Sequence, residues 1–351
     1  MSVFASAADR DAIQDEMPWD SREVAKTIYG LLGDTAGRFP NRNAISFQLL
    51  SGVDDKAETL TWTDLHRKVT QAANMFRGLG VGETDVVAYL LPNSNETVIT
   101  LLGAQVAGIV NPINPLLNPE QIAAILRETG AKVLVTLKAF PKADVAQKAA
   151  AAVKLAPNVK TVVEVDLVHY LTPPKSWIVP LVRPKNPVSH NARVVDFDAQ
   201  LNRQSKTLDF EDRQVDRVSA YFHTGGTTGM PKVAQHKYSG LVYNGWLADR
   251  LLFNENDTLI CPLPLFHVFA AVVVASAALA SGAHVVFPTP QGYRGAGVFD
   301  NFWKLIERWG VTFVITVPTA IAALMQRKVN ADVSTLKTAF SGSAPLPVEL
   351  F

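Results

Sequence analysis

Short apolar runs and amphipathic segments take turns along most of this 351-residue chain, and that alternation restricts the fold more than any other feature. Thr63 precedes a segment whose apolar residues Leu65, Val69, Ala72, Ala73, Phe76 and Leu79 fall on one helical face, with Gly80 as the stop. Residues 85–91 (DVVAYLL) form a β-branched run ended by Pro92, which predicts a buried strand. Asn93, with Glu96 three places on, reads as a capping box opening a helix that stops near Gly108. Asn118, Pro119 and Gln121 open another helix, which ends at Gly130. Strands are predicted at 132–137 and 159–165, with a helix at 143–156 between them. From Val218 the pattern restarts: a strand at 218–223, a glycine-rich loop, a helix at 239–253 and an apolar helix near 268–280. Strands at 284–287 and 311–317 and helices at 298–309 and 319–329 follow. Such alternation implies mostly parallel sheets with helices on both faces. The expected architecture is α/β, in two lobes of residues 1–215 and 216–351.

Composition narrows the function classes. Apolar residues at 48% and charged residues at 19% exclude a largely disordered chain. Lysine and arginine number 33 against 32 acids, so there is no basic surplus of the kind that duplex binders gather on one face, and no nucleic-acid partner is expected. One cysteine, Cys261, excludes an internal disulfide and any zinc site built on paired cysteines. Residues 1–20 carry acids and no apolar core, so no secretory signal is read there. The apolar run at 268–280 is too short to span a bilayer. A cytoplasmic protein is expected.

One stretch breaks the rhythm. Residues 167–193 hold Pro173, Pro174, Pro180, Pro184 and Pro187 together with Trp177, Lys175, Arg183 and Lys185. A loop that long is either a solvated excursion or a functional surface, here a basic-aromatic contact with a membrane or a partner.

The chemistry is concentrated at residues 221–232, YFHTGGTTGMPK. Gly225, Gly226 and Gly229 let backbone amides approach an anion closely. Thr224, Thr227 and Thr228 offer hydroxyls to phosphate oxygens or a metal, and Lys232, behind the stiff Pro231, adds a positive charge. The loop suits a polyphosphate. It is not a Walker A loop, because Met230 and Pro231 separate Gly229 from Lys232, and it lacks the G-x-G-x-x-G spacing of a dinucleotide fingerprint.

TGGTTGMPK resembles the phosphate-binding loop of the adenylate-forming superfamily, which includes acyl-CoA synthetases, luciferases and peptide-synthetase adenylation domains. The chain departs from the usual motif at Gly225, Val233 and Tyr238, where that family often has a hydroxyl residue, a glycine and a histidine. Three further segments appear in the family's order. Residues 264–267 (PLFH) resemble the segment whose His267 sits between acyl pocket and adenylate, and 316–319 (TVPT) the strand end lining the carboxylate's pocket. Residues 341–346 (SGSAPL) are similar to the turn that packs on adenine.

The resemblance implies ATP, Mg2+ and coenzyme A. Thr224 would help hold the metal; Thr227, Thr228 and Lys232, with Gly225, Gly226 and Gly229, would face the phosphates; Ser343, Ala344 and Pro345 would lie by the adenine. Phe269, Val272, Val317, Pro318 and Thr319 are candidate acyl-pocket residues. The implied reaction converts a carboxylic, and preferably fatty, acid to an acyl-adenylate and then to its CoA thioester. The family's Tyr-Gly-x-Thr-Glu segment, its ribose-binding Thr-Gly-Asp and its late catalytic lysine do not occur before Phe351, so the chain reads as a truncated large N-terminal domain, expected to be inactive alone and to self-associate through uncovered apolar surface. Two alternatives stay open: a non-catalytic nucleotide- or partner-binding module, and another adenylate-forming enzyme such as a peptide-synthetase adenylation domain. A phosphotransferase would need acids beside the loop, and Asp209, Glu211 and Asp212 read instead as a charged linker.

Overall fold

The computed structural model describes residues 6–185, 188–224 and 232–345. Within them the chain forms strands β1 (Asn43–Gln48), β2 (Ala57–Thr61), β3 (Val86–Leu90), β4 (Ile109–Pro112), β5 (Val133–Leu137), β6 (Thr161–Val165) and β7 (Arg193–Asp196). β8 (Val218–His223), β9 (Val233–Lys237), β10 (Thr258–Ile260), β11 (His284–Pro288), β12 (Phe313–Thr316) and β13 (Thr338–Ser341) follow. They build a six-stranded sheet in the order β13-β12-β10-β11-β1-β2 and a seven-stranded sheet in the order β7-β6-β5-β3-β4-β8-β9. Each is parallel except for one antiparallel edge strand, β2 in the first and β9 in the second. The α/β reading holds, and no helix among the described residues is long and apolar enough to cross a membrane.

The sheets do not divide at residue 215. The whole seven-stranded sheet, β3 to β9, is threaded between β2 and β10 of the other. Sequence alternation records which elements neighbour one another along the chain. It carries nothing about a pairing as distant as Ile45 with Val285, which sets β1 beside β11.

Local chemistry explains where the helices start, with two corrections. The first helix after β2 is Trp62–Gly78, and its cap is Thr61, not Thr63: Thr61 Oγ1 accepts from the Asp64 amide, while the Asp64 carboxylate accepts from the Thr61 amide and hydroxyl. Its apolar face buries Trp62, Leu65, Val69 and Phe76, and the Trp62 indole N–H donates to the Gly282 carbonyl at 3.1 Å. Helix Asn95–Ala107 is capped by Ser94 rather than Asn93, because both ends of the Asn93 side chain are taken elsewhere and Glu96 is buried against Tyr170. Asn118, Pro119 and Gln121 do form the expected capping box of helix Pro119–Glu128. The apolar run after His267 is not one α-helix: a π-helical Phe269–Val274 leads into the α-helical Ala275–Ser281. Wider π turns occur mostly as local insertions in helices, and frequently at functional sites.

The proline-rich stretch is also more ordered than a loop. Leu167–Tyr170 is a 3-10 turn, and Lys175–Leu181 is helical with Pro180 inside it. Pro173 and Pro174 disfavour helix before it, and the seven-residue helix is too short to be stable by itself. Its ends are held by contacts to the body.

Candidate active site

All four singled-out segments leave the carboxyl ends of strands. Residues 261–267 follow β10, 317–319 follow β12 and 342–345 follow β13, three neighbouring strands of one sheet. Thr224 follows β8 in the other sheet. Open parallel sheets bind ligands outside the carboxyl ends of their strands, so the sequence candidates stand where the architecture offers a crevice.

Asn93, three residues past the end of β3, joins the two sheets. Its side-chain N–H donates to the Leu263 carbonyl at 2.8 Å, its side-chain oxygen accepts from the Leu265 amide at 2.8 Å, and its own amide donates to the Pro290 carbonyl at 2.9 Å. Tyr89, buried in β3, donates its hydroxyl to the Leu265 carbonyl. Two polar side chains of one sheet thus fix the backbone leading to His267 in the other. Neither Asn93 nor Tyr89 was legible as a site residue; an asparagine just before a helix signals a cap, and a tyrosine in an apolar strand signals core.

His267 is exposed, its amide donating to the Pro264 carbonyl at 3.0 Å and its Nδ1 accepting from the Phe269 amide at 3.4 Å. Phe269 reaches the turn after β13: a Cβ built on Gly342 would lie 2.9 Å from the tip of its ring, so a side chain there would push the phenyl group aside. Ser343 then takes a left-handed φ of 69°, uncommon for a residue with a side chain and found more often at functional sites. Ser343, Ala344 and Pro345 are exposed there. Gly342 donates its amide to the Thr316 carbonyl at 3.2 Å, and Tyr293 donates its hydroxyl to Thr316 Oγ1 at 2.7 Å. Burial pushes the Tyr293 phenol up from its ordinary pKa, so it stays a neutral donor. Val317 caps helix Pro318–Met325, with Pro318 buried at its first position and Thr319 exposed. The structure therefore brings His267, Phe269, Thr316 and the 342–345 turn together. Val272 faces the core instead of an open pocket, at 4% exposure. An apolar cavity of 460 Å3 lies nearby, between β12–β13 and the helix Val298–Trp309, and is lined by Trp303, Leu324 and Phe340 with no contribution from His267, Phe269 or Val272.

At the loop, Thr224 donates its amide to the Lys232 carbonyl at 2.9 Å and its hydroxyl to the same oxygen at 3.3 Å. The antiparallel pairing of β8 with β9 brings the two ends of the segment together, and β9 is a strand that the sequence pattern of strand, glycine-rich loop and helix did not include. Thr224 and Lys232 stand at its two ends, both exposed; Gly225, Gly226, Thr227, Thr228 and Gly229 lie outside the described residues. His223, unremarked in the sequence, sits just before Thr224 with Nε2 3.0 Å from the Asn111 side-chain nitrogen, and burial lowers its pKa. A neutral imidazole there leaves the positive charge to Lys232. Of the upstream acids, Asp212 accepts from the Thr27 hydroxyl at 2.6 Å, which ties the linker to the first lobe and not to the loop.

A family model described as AMP-binding enzyme matches residues 32–351. The chain is 31% identical over 342 residues to the marinolic acid–CoA ligase of Pseudoalteromonas sp. (strain SANK 73390), covering 95% of this chain and 49% of that one. It is 28% identical to the long-chain-fatty-acid–CoA ligase of Bacillus subtilis (strain 168), covering 96% of this chain and 58% of the relative. The chain thus spans about half the length of the relatives it matches. The inhibitor-bound N-terminal domain of FACL13 from Mycobacterium tuberculosis superposes with a TM-score of 0.71 at 22% identity, over 92% of this chain and 71% of that one. ATP-bound MatB from Rhodopseudomonas palustris does so with a TM-score of 0.69 at 20% identity, over 93% and 56%. At those identities the superpositions establish a common fold.

Proposed function

Because the chain belongs to the AMP-binding enzyme family, we propose that it forms the nucleotide-holding part of an ATP-dependent ligase that joins a carboxylic acid to coenzyme A. In the reaction proposed, a carboxylate oxygen bonds to the α-phosphorus of ATP as the bond to pyrophosphate breaks. The thiol sulfur of coenzyme A then bonds to the acyl carbon as AMP leaves. Little covalent chemistry falls to the protein; its work is to position the reactants and stabilise charge.

The observation that supports this reading is that the candidate segments follow the carboxyl ends of three neighbouring strands of one sheet, while Thr224 and Lys232 are paired beyond β8 of the other. We assign the loop of Gly225, Gly226, Thr227, Thr228 and Gly229, with Lys232, to the β- and γ-phosphates. Ser343, Ala344 and Pro345 take the adenine. His267, on the backbone fixed by Asn93 and Tyr89, stands between acyl group and adenylate. Phe269, Val317, Pro318 and Thr319 border the acyl chain, and Val272, which packs into the core, is left out of that wall. A bound magnesium ion would supply charge neutralisation at the pyrophosphate, with the Thr224 hydroxyl as the protein group that would help hold it. Among the described residues no three His, Cys, Asp or Glu side chains gather to hold a metal ion. An aliphatic acid is the substrate class we favour, on the strength of the apolar Phe269–Val274 turn beside His267.

Thermal denaturation with MgATP and with non-hydrolysable acyl-adenylate analogues of graded chain length tests this. A rise in melting temperature is expected with both, larger for the adenylates. Lys232→Ala is expected to weaken nucleotide binding about tenfold or more, the value of a charge-assisted hydrogen bond. No response to any adenylate at saturating concentration would remove the proposal.

A further inference from the structure

The helix Lys175–Leu181 turns its apolar side outward. Trp177 and Leu181, one helical turn apart, are 69% and 85% exposed; Ile178 and Val182, again a turn apart, are 49% and 56% exposed. Val179, on the other side, packs against the core. From residue 167 to residue 195 the sequence has no aspartate or glutamate, while Lys175 and Lys185 are exposed beside the apolar face.

The segment is braced at both ends. On the near side Tyr170 is buried and donates its hydroxyl to Glu96 at 3.1 Å, and His169 lies 3.4 Å from the same carboxylate. On the far side Arg183 holds both oxygens of Asp166, at 2.6 and 2.8 Å, and donates to the Ala139 carbonyl at 2.7 Å. Its apolar side chains are therefore held outward by the fold, with little left to lose in ordering on contact.

We propose that residues 175–185 dock the protein peripherally on an anionic membrane surface, with Trp177, Ile178, Leu181 and Val182 entering the headgroup boundary and Lys175 and Lys185 facing lipid phosphates. Indole and aliphatic groups on a short amphipathic element with flanking lysines are the chemistry of interfacial attachment. Four apolar side chains, two of them only about half exposed, are few against the roughly 20–30 residues that each partner brings to a stable protein interface. The lysines select a negative surface. The inference stands apart from the ligase reading, since it uses none of the crevice residues.

Co-sedimentation of the full chain with vesicles of phosphatidylcholine alone, or with about one third phosphatidylserine, tests it. Binding is expected to the anionic vesicles, weakening with salt, and to fall about fivefold for each of Lys175→Gln and Lys185→Gln. The Trp177→Ser/Leu181→Ser double variant is expected to lose about tenfold or more. Thermal melts of every variant check that the fold is kept, and the two lysine substitutions give a second readout should the apolar pair unfold the helix. Absence of binding, equal binding to neutral and anionic vesicles, or a double variant that binds like the parent would overturn the proposal. So would light scattering that showed a Leu181-dependent dimer with no vesicle attachment.

Discussion

The seam between the two sheets and the arm at 167–185 break the usual rule of burial in opposite directions. At the seam a polar side chain, Asn93, is 2% exposed, and at the arm an apolar one, Leu181, is 85% exposed. The seam tolerates its asparagine because each polar end meets a backbone group of the opposite sheet, so desolvation is offset by hydrogen bonds. The arm leaves its leucine outside because only Val179 of that helix packs inward and two anchors fix the rest. Position relative to the tertiary frame, more than side-chain character, decided both cases.

The contrast yields a graded set of tests. The largest loss is expected from Gly292→Ala. Gly292 has φ of 55°, and a Cβ there would lie 2.0 Å from the Pro262 carbonyl, at the place where the turn after β11 meets the seam. A chemical-denaturation shift of about 3 kcal/mol or more is anticipated. Asn93→Ala should follow at about 2–3 kcal/mol, because it strands a buried amide and a buried carbonyl at once. A denaturation midpoint unchanged by that substitution would show that the seam is held by packing alone.

His169 probes the arm's near anchor through pH. Burial opposes its charge, but the hydrogen bond and charge of Glu96 outweigh that and push its pKa up to about 8. A pKa raised on folding gives stability that is full below the ordinary value near 6.5 and is lost as pH rises through about 8. The ring is 37% exposed, so after solvent screening the contribution is of order 1 kcal/mol. Melting temperatures at pH 6 and pH 9 should differ by more in the parent than in His169→Gln; equal differences would detach the anchor from titration. The smallest effect is expected from Trp177→Ser and Leu181→Ser, within about 0.5 kcal/mol, since exposed side chains leave no cavity. A large loss there would mean that the arm's outer face is packed in solution.

Much of this arrangement was legible beforehand, for identifiable reasons. Strands β3, β5, β6, β8, β11 and β12 came through because buried parallel strands read as unbroken apolar runs. β1, β2, β4, β7, β9, β10 and β13 were not predicted; β2, β7, β9 and β13 lie at sheet edges, Arg193–Asp196 carries as many polar as apolar residues, and Val233–Lys237 carries more polar than apolar ones. Capping at Asn118 was readable because its whole logic is local; at Asn93 the same local logic pointed the wrong way, since a partner 170 positions distant claimed the side chain. The glycine-rich loop announced its chemistry through composition. The positioning roles of Asn93, Tyr89 and Tyr293 had no such signal, because each is defined by a backbone or hydroxyl group in a different part of the chain.

The insertion of one sheet inside the other has a consequence for biosynthesis. β1 can pair with β2 as soon as both have left the ribosome, but its other edge waits for β11, and Val285 follows Ile45 by 240 positions. At about 5–20 residues per second, that edge stays open for roughly ten to fifty seconds while the whole intervening layer is made. Nascent chains are then most exposed to wrong edge-to-edge pairing, so a holding chaperone should matter more to yield during elongation than after release.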